Sequence, residues 1–216
     1  MSAPARTFTV RHVQLARALF AAAAALMITF SSDHSAAVGL AVFSGFVLTT
    51  ALVLALSAWL VLPEGRRWPY VLLAVVGTLA GLASGIPAWR SNDLFFVVVI
   101  SWALITGLIE LLAGLRLRRV GDATARDAIT VGAFGLLLGV LLLLIPAGFT
   151  QPYAIKGAGE FVLSGIILGV GILGGYAAIL AVFLGIAGLT PKKADAVTEV
   201  PADGLDAPTA AHGGER

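Results

Sequence analysis

Six apolar segments, each about long enough to cross a lipid bilayer, dominate this sequence. A bilayer core of about 30 Å requires roughly 20 apolar residues in a helix. The chain is 59% hydrophobic and only 12% charged, whereas a soluble domain carries about 25% charged residues. The sequence therefore predicts an all-α polytopic membrane protein with six transmembrane helices. The segments are residues 13–30, 36–62, 69–89, 94–115, 128–149 and 158–189.

The sixth segment is too long for one perpendicular span. We expect it to tilt, to bend near Gly174 and Gly175, or to extend past the membrane surface. Glu160 then lies at the start of this helix, four residues after Lys156. A carboxylate in that position is stabilised by the helix dipole.

Basic residues are distributed unequally between the two sides of the predicted bundle. The three connectors on one side hold only Arg90 and Lys156. Because Lys and Arg accumulate on the cytoplasmic side of a membrane, both termini are expected in the cytoplasm, with residues 1–12 as an N-terminal segment, 13–189 as the membrane domain and 190–216 as a disordered tail. The other side holds Arg6, Arg11, Arg17, Arg66, Arg67, Arg116, Arg118, Arg119, Arg126, Lys192, Lys193 and Arg216.

A second interpretation applies to the first segment. Basic residues, an apolar run and the small residues Ser35-Ala36-Ala37 together are also typical of a cleaved signal peptide. Five spans would then remain. The fit of the first segment to an internal repeat favours six.

The segments read as three repeated helical hairpins, residues 13–62, 69–119 and 128–189. Hairpins 2 and 3 align with a constant offset of 58 residues, which places Gly77 and Gly81 on Gly135 and Gly139. The second helix of each hairpin carries a small hydroxyl residue followed by glycine, at Ser44-Gly45, Thr106-Gly107 and Ser164-Gly165. Repeats of this kind in membrane proteins indicate stacked, symmetry-related units.

The glycine helices ending in Ile-Pro, residues 77–87 and 135–146, and the segment 102–110 with its Leu-Arg-Leu-Arg-Arg continuation, resemble the HdeD-like acid-resistance membrane proteins. The resemblance covers about residues 15–185. Hairpin 1 departs from it because it lacks the Gly-x-x-x-Gly pair. The resemblance implies a bacterial inner-membrane protein linked to acid or envelope stress, and it supplies no catalytic residue.

Glycines on single helix faces are the candidates for helix packing. Helices attract one another in lipid largely through close van der Waals contact, which small residues permit. A substrate path lined by glycine backbone is the alternative. The candidates are Gly77, Gly81, Gly85, Gly107, Gly135, Gly139, Gly165 and Gly169, with Gly171 and Gly175 as a further pair on helix 6.

Glu110 is the one carboxylate predicted to lie well inside a span, on the small-residue face of helix 4. Intramembrane ionisable groups are candidates for function. Arg17 is expected at similar depth, so Glu110 either forms a structural ion pair with Arg17, faces water, or has a proton- or substrate-linked role. His34, in the outer turn between helices 1 and 2, is either an exposed turn residue or a pH sensor, since histidine titrates near pH 6.5.

The sequence lacks the motifs of enzymes and metal sites. It has no cysteine, no nucleotide-binding or hydrolase motif, and its three histidines lack metal-ligand spacing. We therefore predict no enzyme activity, no cofactor and no metal. The absence of a basic face outside the loops argues against nucleic acid as a partner.

Trp68, Tyr70, Trp89 and Tyr153 are predicted interfacial anchors. Trp102 lies deeper and has no explanation at this stage. The expected function is a non-enzymatic role in acid or envelope stress tolerance through helix–helix association. The alternatives are a small transporter or channel that uses Glu110, and an accessory subunit of a larger membrane complex. The expected partners are the lipid bilayer and either a second copy or another membrane protein.

Overall fold

The computed structural model describes residues 8–146, 148–157 and 159–190. It confirms the all-α polytopic class, because six helices are long and apolar enough to cross a membrane. The predicted disordered tail lies outside the described residues from position 191 onward. The helices are α1 (Val10–Phe30), α2 (Ala36–Leu60), α3 (Trp68–Gly85), α4 (Asn92–Arg119), α5 (Ala125–Leu143) and α6 (Gly165–Leu189).

Serine side chains begin two of the helices. Ser35 accepts a hydrogen bond from the amide of Val38 at the start of α2, and Ser91 accepts one from Leu94 at the start of α4. Each hydroxyl satisfies an amide that has no partner within its helix. Single 3-10 turns precede α3 (Glu64–Arg66) and α4 (Pro87–Trp89).

The predicted connection between the two helices of the third hairpin is wrong. Helix α5 ends at Leu143, and α6 begins at Gly165 rather than at 158. An antiparallel hairpin of β1 (Thr150–Ile155) and β2 (Gly159–Ser164) lies between them. Its β-branched and aromatic residues favour strands, and the positive φ angles of Gly157 (88°) and Gly159 (104°) form its turn.

This hairpin removes the length problem of the sixth segment, because α6 has 25 residues and is a normal span. It also moves Glu160 from a helix start into β2, opposite Ala154. Strand β2 could not be recognised from the sequence, because its apolar residues are followed directly by the apolar residues of α6. A helix dipole therefore does not explain Glu160.

The closest helix pairs join helices of different predicted hairpins. Helix α2 packs most extensively on α3, α4 on α5, and α6 on α1, whereas α1/α2, α3/α4 and α5/α6 pack less. The six helices thus form a ring with alternating tight and loose contacts. Each tight pair joins an even-numbered helix to the odd-numbered helix that follows it, and the last pair closes the ring.

A glycine lies against a leucine side chain in two of these pairs. A Cβ added at Gly81 of α3 would lie 2.5 Å from Cγ of Leu48 in α2, and one added at Gly139 of α5 would lie 2.5 Å from Cδ2 of Leu104 in α4. Leu104 follows Leu48 by 56 positions, and Gly139 follows Gly81 by 58. We refer to these pairs as the α2–α3 unit and the α4–α5 unit.

The even-numbered helices meet at an aromatic cluster. The ring of Trp102 in α4 contacts Phe43 and Phe46 of α2 and Tyr176 of α6 edge-to-face, at centroid distances of 5.2, 6.0 and 6.2 Å. Edge-to-face contacts of this kind stabilise the core beyond the area they bury. Trp102 is therefore the central packing residue of the bundle.

Candidate functional site

An ion pair lies inside the bundle between α1 and α4. Nη2 of Arg17 donates to Oε1 of Glu110 at 2.6 Å, and their side chains are only 15% and 11% exposed. Burying two charges is costly unless each is compensated by the other. The pair thus fixes α1 against α4 at one register.

An apolar contact joins the neighbouring pair of helices. Leu54 of α2 and Leu73 of α3 pack together in a small apolar cluster. Leu73 also lines both cavities that adjoin Arg17 and Glu110, so the charged pair lies beside apolar packing.

Two cavities adjoin the pair. One of about 60 Å³ is lined by Gln14, Arg17, Tyr70 and Glu110, and a second of about 30 Å³ is lined by Arg17, Thr50 and Glu110 among others. A water molecule needs roughly 10–15 Å³ by a comparable measure. The cavities therefore have room for a few water molecules but not for a metabolite.

Unpartnered polar atoms lie in the walls of these cavities. Within the described part of the chain, Oε1 of Gln14, Nε of Arg17 and Oγ1 of Thr50 are buried and have no hydrogen-bond partner. Buried polar atoms normally have a partner, often an ordered water. The two cavities are thus suited to hydrated polar contacts around the charges.

Further polar side chains reach the same region from other helices. Nε2 of Gln14 in α1 donates to Oδ2 of Asp127 in α5 at 2.8 Å. Tyr70 of α3 lines the first cavity, and Tyr176 of α6 lines the second. All six helices therefore contribute to the site. Of its residues, only Arg17 and Glu110 were predicted from the sequence.

His34 lies far from this site. It is half-buried in the turn between α1 and α2, at the end of α1 opposite to Arg17. From Arg17 to Phe30, the last residue of α1, the helix rises about 20 Å. The neighbouring Asp33 accepts hydrogen bonds from the amide and hydroxyl of Ser35, which order the turn. The structure thus separates His34 from the charged pair.

The candidate packing glycines lie mostly at helix contacts inside the bundle. A Cβ at Gly107 would lie 2.7 Å from the backbone N of Leu136, and one at Gly169 would lie 2.9 Å from the Phe95 ring. Gly85 faces the Ser44 hydroxyl, which donates to the carbonyl of Gly81. Gly77, Gly81, Gly135 and Gly139 fill the α2–α3 and α4–α5 contacts, and Gly165 begins α6.

Other glycines have roles that the spacing alone did not indicate. Gly132 contacts the backbone of Leu111 in the α4–α5 pair, while Gly174 contacts Ile28 in the α6–α1 pair. In contrast, Gly171 and Gly175 face open space. The predicted packing pair on α6 thus lies on the outer surface of the bundle.

The aromatic anchors differ in environment. Trp68, Trp89 and Tyr153 are exposed at helix or strand ends, as interfacial residues should be. Tyr70 is half-buried and lines the first cavity. Its phenol therefore belongs to the charged site as well as to the end of the bundle.

A second charged contact joins two loops at the end of the bundle. Arg66, before α3, forms a salt bridge with Asp122, between α4 and α5. Thr124 donates to Asp122 through its amide and its hydroxyl, at 2.8 and 2.6 Å. Burial alone would raise the pKa of Asp122, but the hydrogen bonds from Thr124 and Arg66 outweigh it and lower the pKa.

The lowered pKa of Asp122 predicts how stability depends on pH. The contact stabilises the folded protein fully above the ordinary aspartate pKa, about 3.9, and less as the pH falls through the lower folded-state pKa. We expect Asp122→Asn to reduce the thermal midpoint at pH 7 and to reduce it progressively less as the pH falls below about 3.9. Melting curves of both proteins in detergent between pH 2 and 7 measure this, and a constant difference across that range would contradict it.

Within the described residues, no three His, Cys, Asp or Glu side chains come together as a metal site. Comparisons with protein-family models, curated proteins and solved structures gave no match. The fold and the Arg17–Glu110 site therefore define the chain as a multi-pass integral membrane protein with an intramembrane ion pair.

Proposed function

We propose that this protein is a non-enzymatic membrane protein that acts in tolerance of acid or envelope stress through the Arg17–Glu110 site. The observation that carries the proposal is the buried pair itself. Two leucines at the positions of Arg17 and Glu110 would pack without an electrostatic cost. The charged residues therefore indicate a role other than stabilising the fold. The stress context follows from the resemblance to HdeD-like proteins.

Cavity size supports a role for protons or water over a role in solute transport. Spaces of about 60 and 30 Å³ admit only a few water molecules. Loss of the Glu110 charge would leave Arg17 as a buried, unpaired cation and would weaken the connection of α1 to α4.

The positions of the glycines bear on the accessory-subunit alternative. Most candidate glycine faces are already occupied by neighbouring helices of the same chain. Helix–helix association through these faces is therefore internal to the bundle. A small transporter or channel at Glu110 stays the second candidate, favoured by the unpartnered atoms of Gln14, Arg17 and Thr50.

Survival of a deletion strain at low pH tests the proposal. We expect the wild-type gene to restore survival, and Glu110→Gln and the Arg17→Leu/Glu110→Leu double variant to fail at equal membrane levels. Glu64→Gln is the matched control, because the Glu64 side chain is 93% exposed. Full rescue by the double variant would overturn the proposal.

Proton flux in proteoliposomes separates the two candidates. A conducting protein should dissipate a pH gradient in a manner that Glu110→Gln abolishes. A stress role through packing alone predicts no flux above that of empty liposomes, together with acid survival that still depends on Glu110.

A further inference from the structure

A third cavity, of about 270 Å³, lies at the end of the bundle where the arginines collect. We call this the basic end: the start of α1, residues 61–67, the end of α4 and residues 120–127. The cavity is several times larger than those beside Glu110. Its walls include Leu62, Arg66, Trp68, Arg116 and Asp122.

Among the described residues that line this cavity, Arg116 is the cation without a salt bridge. Its guanidinium lies over the Trp68 ring, 5.0 Å from the centroid. Within the described residues it forms no salt bridge, whereas Arg66 is paired with Asp122 and Arg67 lies near Glu64. The lining thus keeps one uncompensated positive charge, held in place by an aromatic ring.

The surrounding charge has the same sign. In the described residues the basic end holds seven arginines against the carboxylates of Glu64, Asp122 and Asp127. The opposite end holds Arg90 and Lys156 against three carboxylates. An anion is therefore attracted to the basic end and not to the other. The seven are Arg11, Arg66, Arg67, Arg116, Arg118, Arg119 and Arg126.

The cavity is amphipathic as well as positive. Leu62, Trp68 and Leu117 supply apolar walls beside the guanidinium of Arg116. Trp68 is the first residue of α3, and α4 ends at Arg119, so the cavity lies at the level of helix ends. Headgroups and the upper acyl chains of lipids occupy that level, and basic pockets between transmembrane helices bind acidic headgroups.

We propose that this cavity is a binding site for an anionic phospholipid, with the phosphate on Arg116 and an acyl chain along Leu62, Trp68 and Leu117. Charge complementarity selects an acidic lipid over a zwitterionic one. The site adjoins the first cavity, with which it shares Tyr70 and Leu117, but neither Arg17 nor Glu110 lines it, and the proposal does not depend on the proposed stress function.

Native mass spectrometry of the delipidated full-length protein tests the proposal. Titrations use phosphatidylglycerol, phosphatidylcholine and inorganic phosphate as separate probes. We expect a saturable phosphatidylglycerol site that phosphatidylcholine does not fill and that phosphate does not compete for. Arg116→Gln should weaken binding about fivefold, since one surface charge contributes about 1 kcal/mol to attraction of anionic lipid.

Arg118→Gln is the matched control, because Arg118 lies about 200° around α4 from Arg116 and does not line the cavity. Its phosphatidylglycerol affinity should equal that of the wild type. Arg116→Lys keeps the charge and should retain more affinity than Arg116→Gln. Equal losses in Arg116→Gln and Arg118→Gln, or equal binding of both lipids, would overturn the proposal, as would displacement of the lipid by phosphate. Unchanged melting curves establish that each variant is folded.

Discussion

Glu110→Leu alone is expected to reduce the free energy of unfolding by about 3–5 kcal/mol, because it leaves Arg17 as a buried cation without its partner. Arg17→Leu alone should have a similar effect through the orphaned carboxylate. The double variant, with both leucines, should recover most of that loss and could exceed the wild type. The reason is that the double variant leaves neither charge buried without its partner.

The measurement is a double-mutant cycle on thermal or denaturant unfolding in detergent micelles. Glu64→Leu controls for loss of a carboxylate at an exposed position and should change little. If the loss of stability in the double variant equalled the sum of the two single losses, the two charges would not be coupled. A folded double variant that fails in acid survival would separate function from stability.

Gly132→Ala is expected to destabilise the α4–α5 pair, whereas the same change at Gly171 should be neutral or stabilising. A Cβ at Gly132 would lie 2.5 Å from the backbone N of Leu111, where nothing can move without shifting a helix. Overpacking of this kind costs about 1–3 kcal/mol. At Gly171 the Cβ meets open space, and alanine is favoured over glycine in a helix by about 0.5–1 kcal/mol.

The same substitution is expected to have opposite effects on stability at the two positions. A general effect of replacing glycine by alanine therefore cannot explain the result. Thermal midpoints of the two variants measure it, with Gly45→Ala as a second open-space control. Equal destabilisation at Gly132 and Gly171 would mean that the outer face of α6 is covered in the solution state. A neutral Gly132→Ala would contradict the close approach of α4 and α5.

The sequence was sufficient for the number of spans but not for their pairing. Length and apolarity predict each helix, because the bilayer sets both. The helices are apolar on all sides, and lipid is as apolar as a protein interior, so hydrophobic periodicity cannot show which face meets which neighbour. No local sequence pattern indicates that α6 packs tightly on α1, because the two helices are far apart in the sequence.

The candidate site was predictable in part. Glu110 is conspicuous as a carboxylate within an apolar span, and its depth matches that of Arg17. Gln14, Thr50 and Tyr176 carry no such signal, since uncharged polar residues are common in transmembrane helices and their direction depends on tertiary packing. The strand at 159–164 was hidden because its apolar residues are equally acceptable to a helix.

The closure of the ring by α6 on α1 has a consequence for biogenesis. During synthesis α1 leaves the ribosome well before α6, its main packing partner. Arg17 enters the membrane without a counter-charge until Glu110 arrives with α4. The α2–α3 and α4–α5 units can assemble as soon as each is inserted, but α1 lacks its main packing partner until α6 is inserted. A chain that stalls before α6 therefore leaves the packing face of α1 uncovered in the membrane.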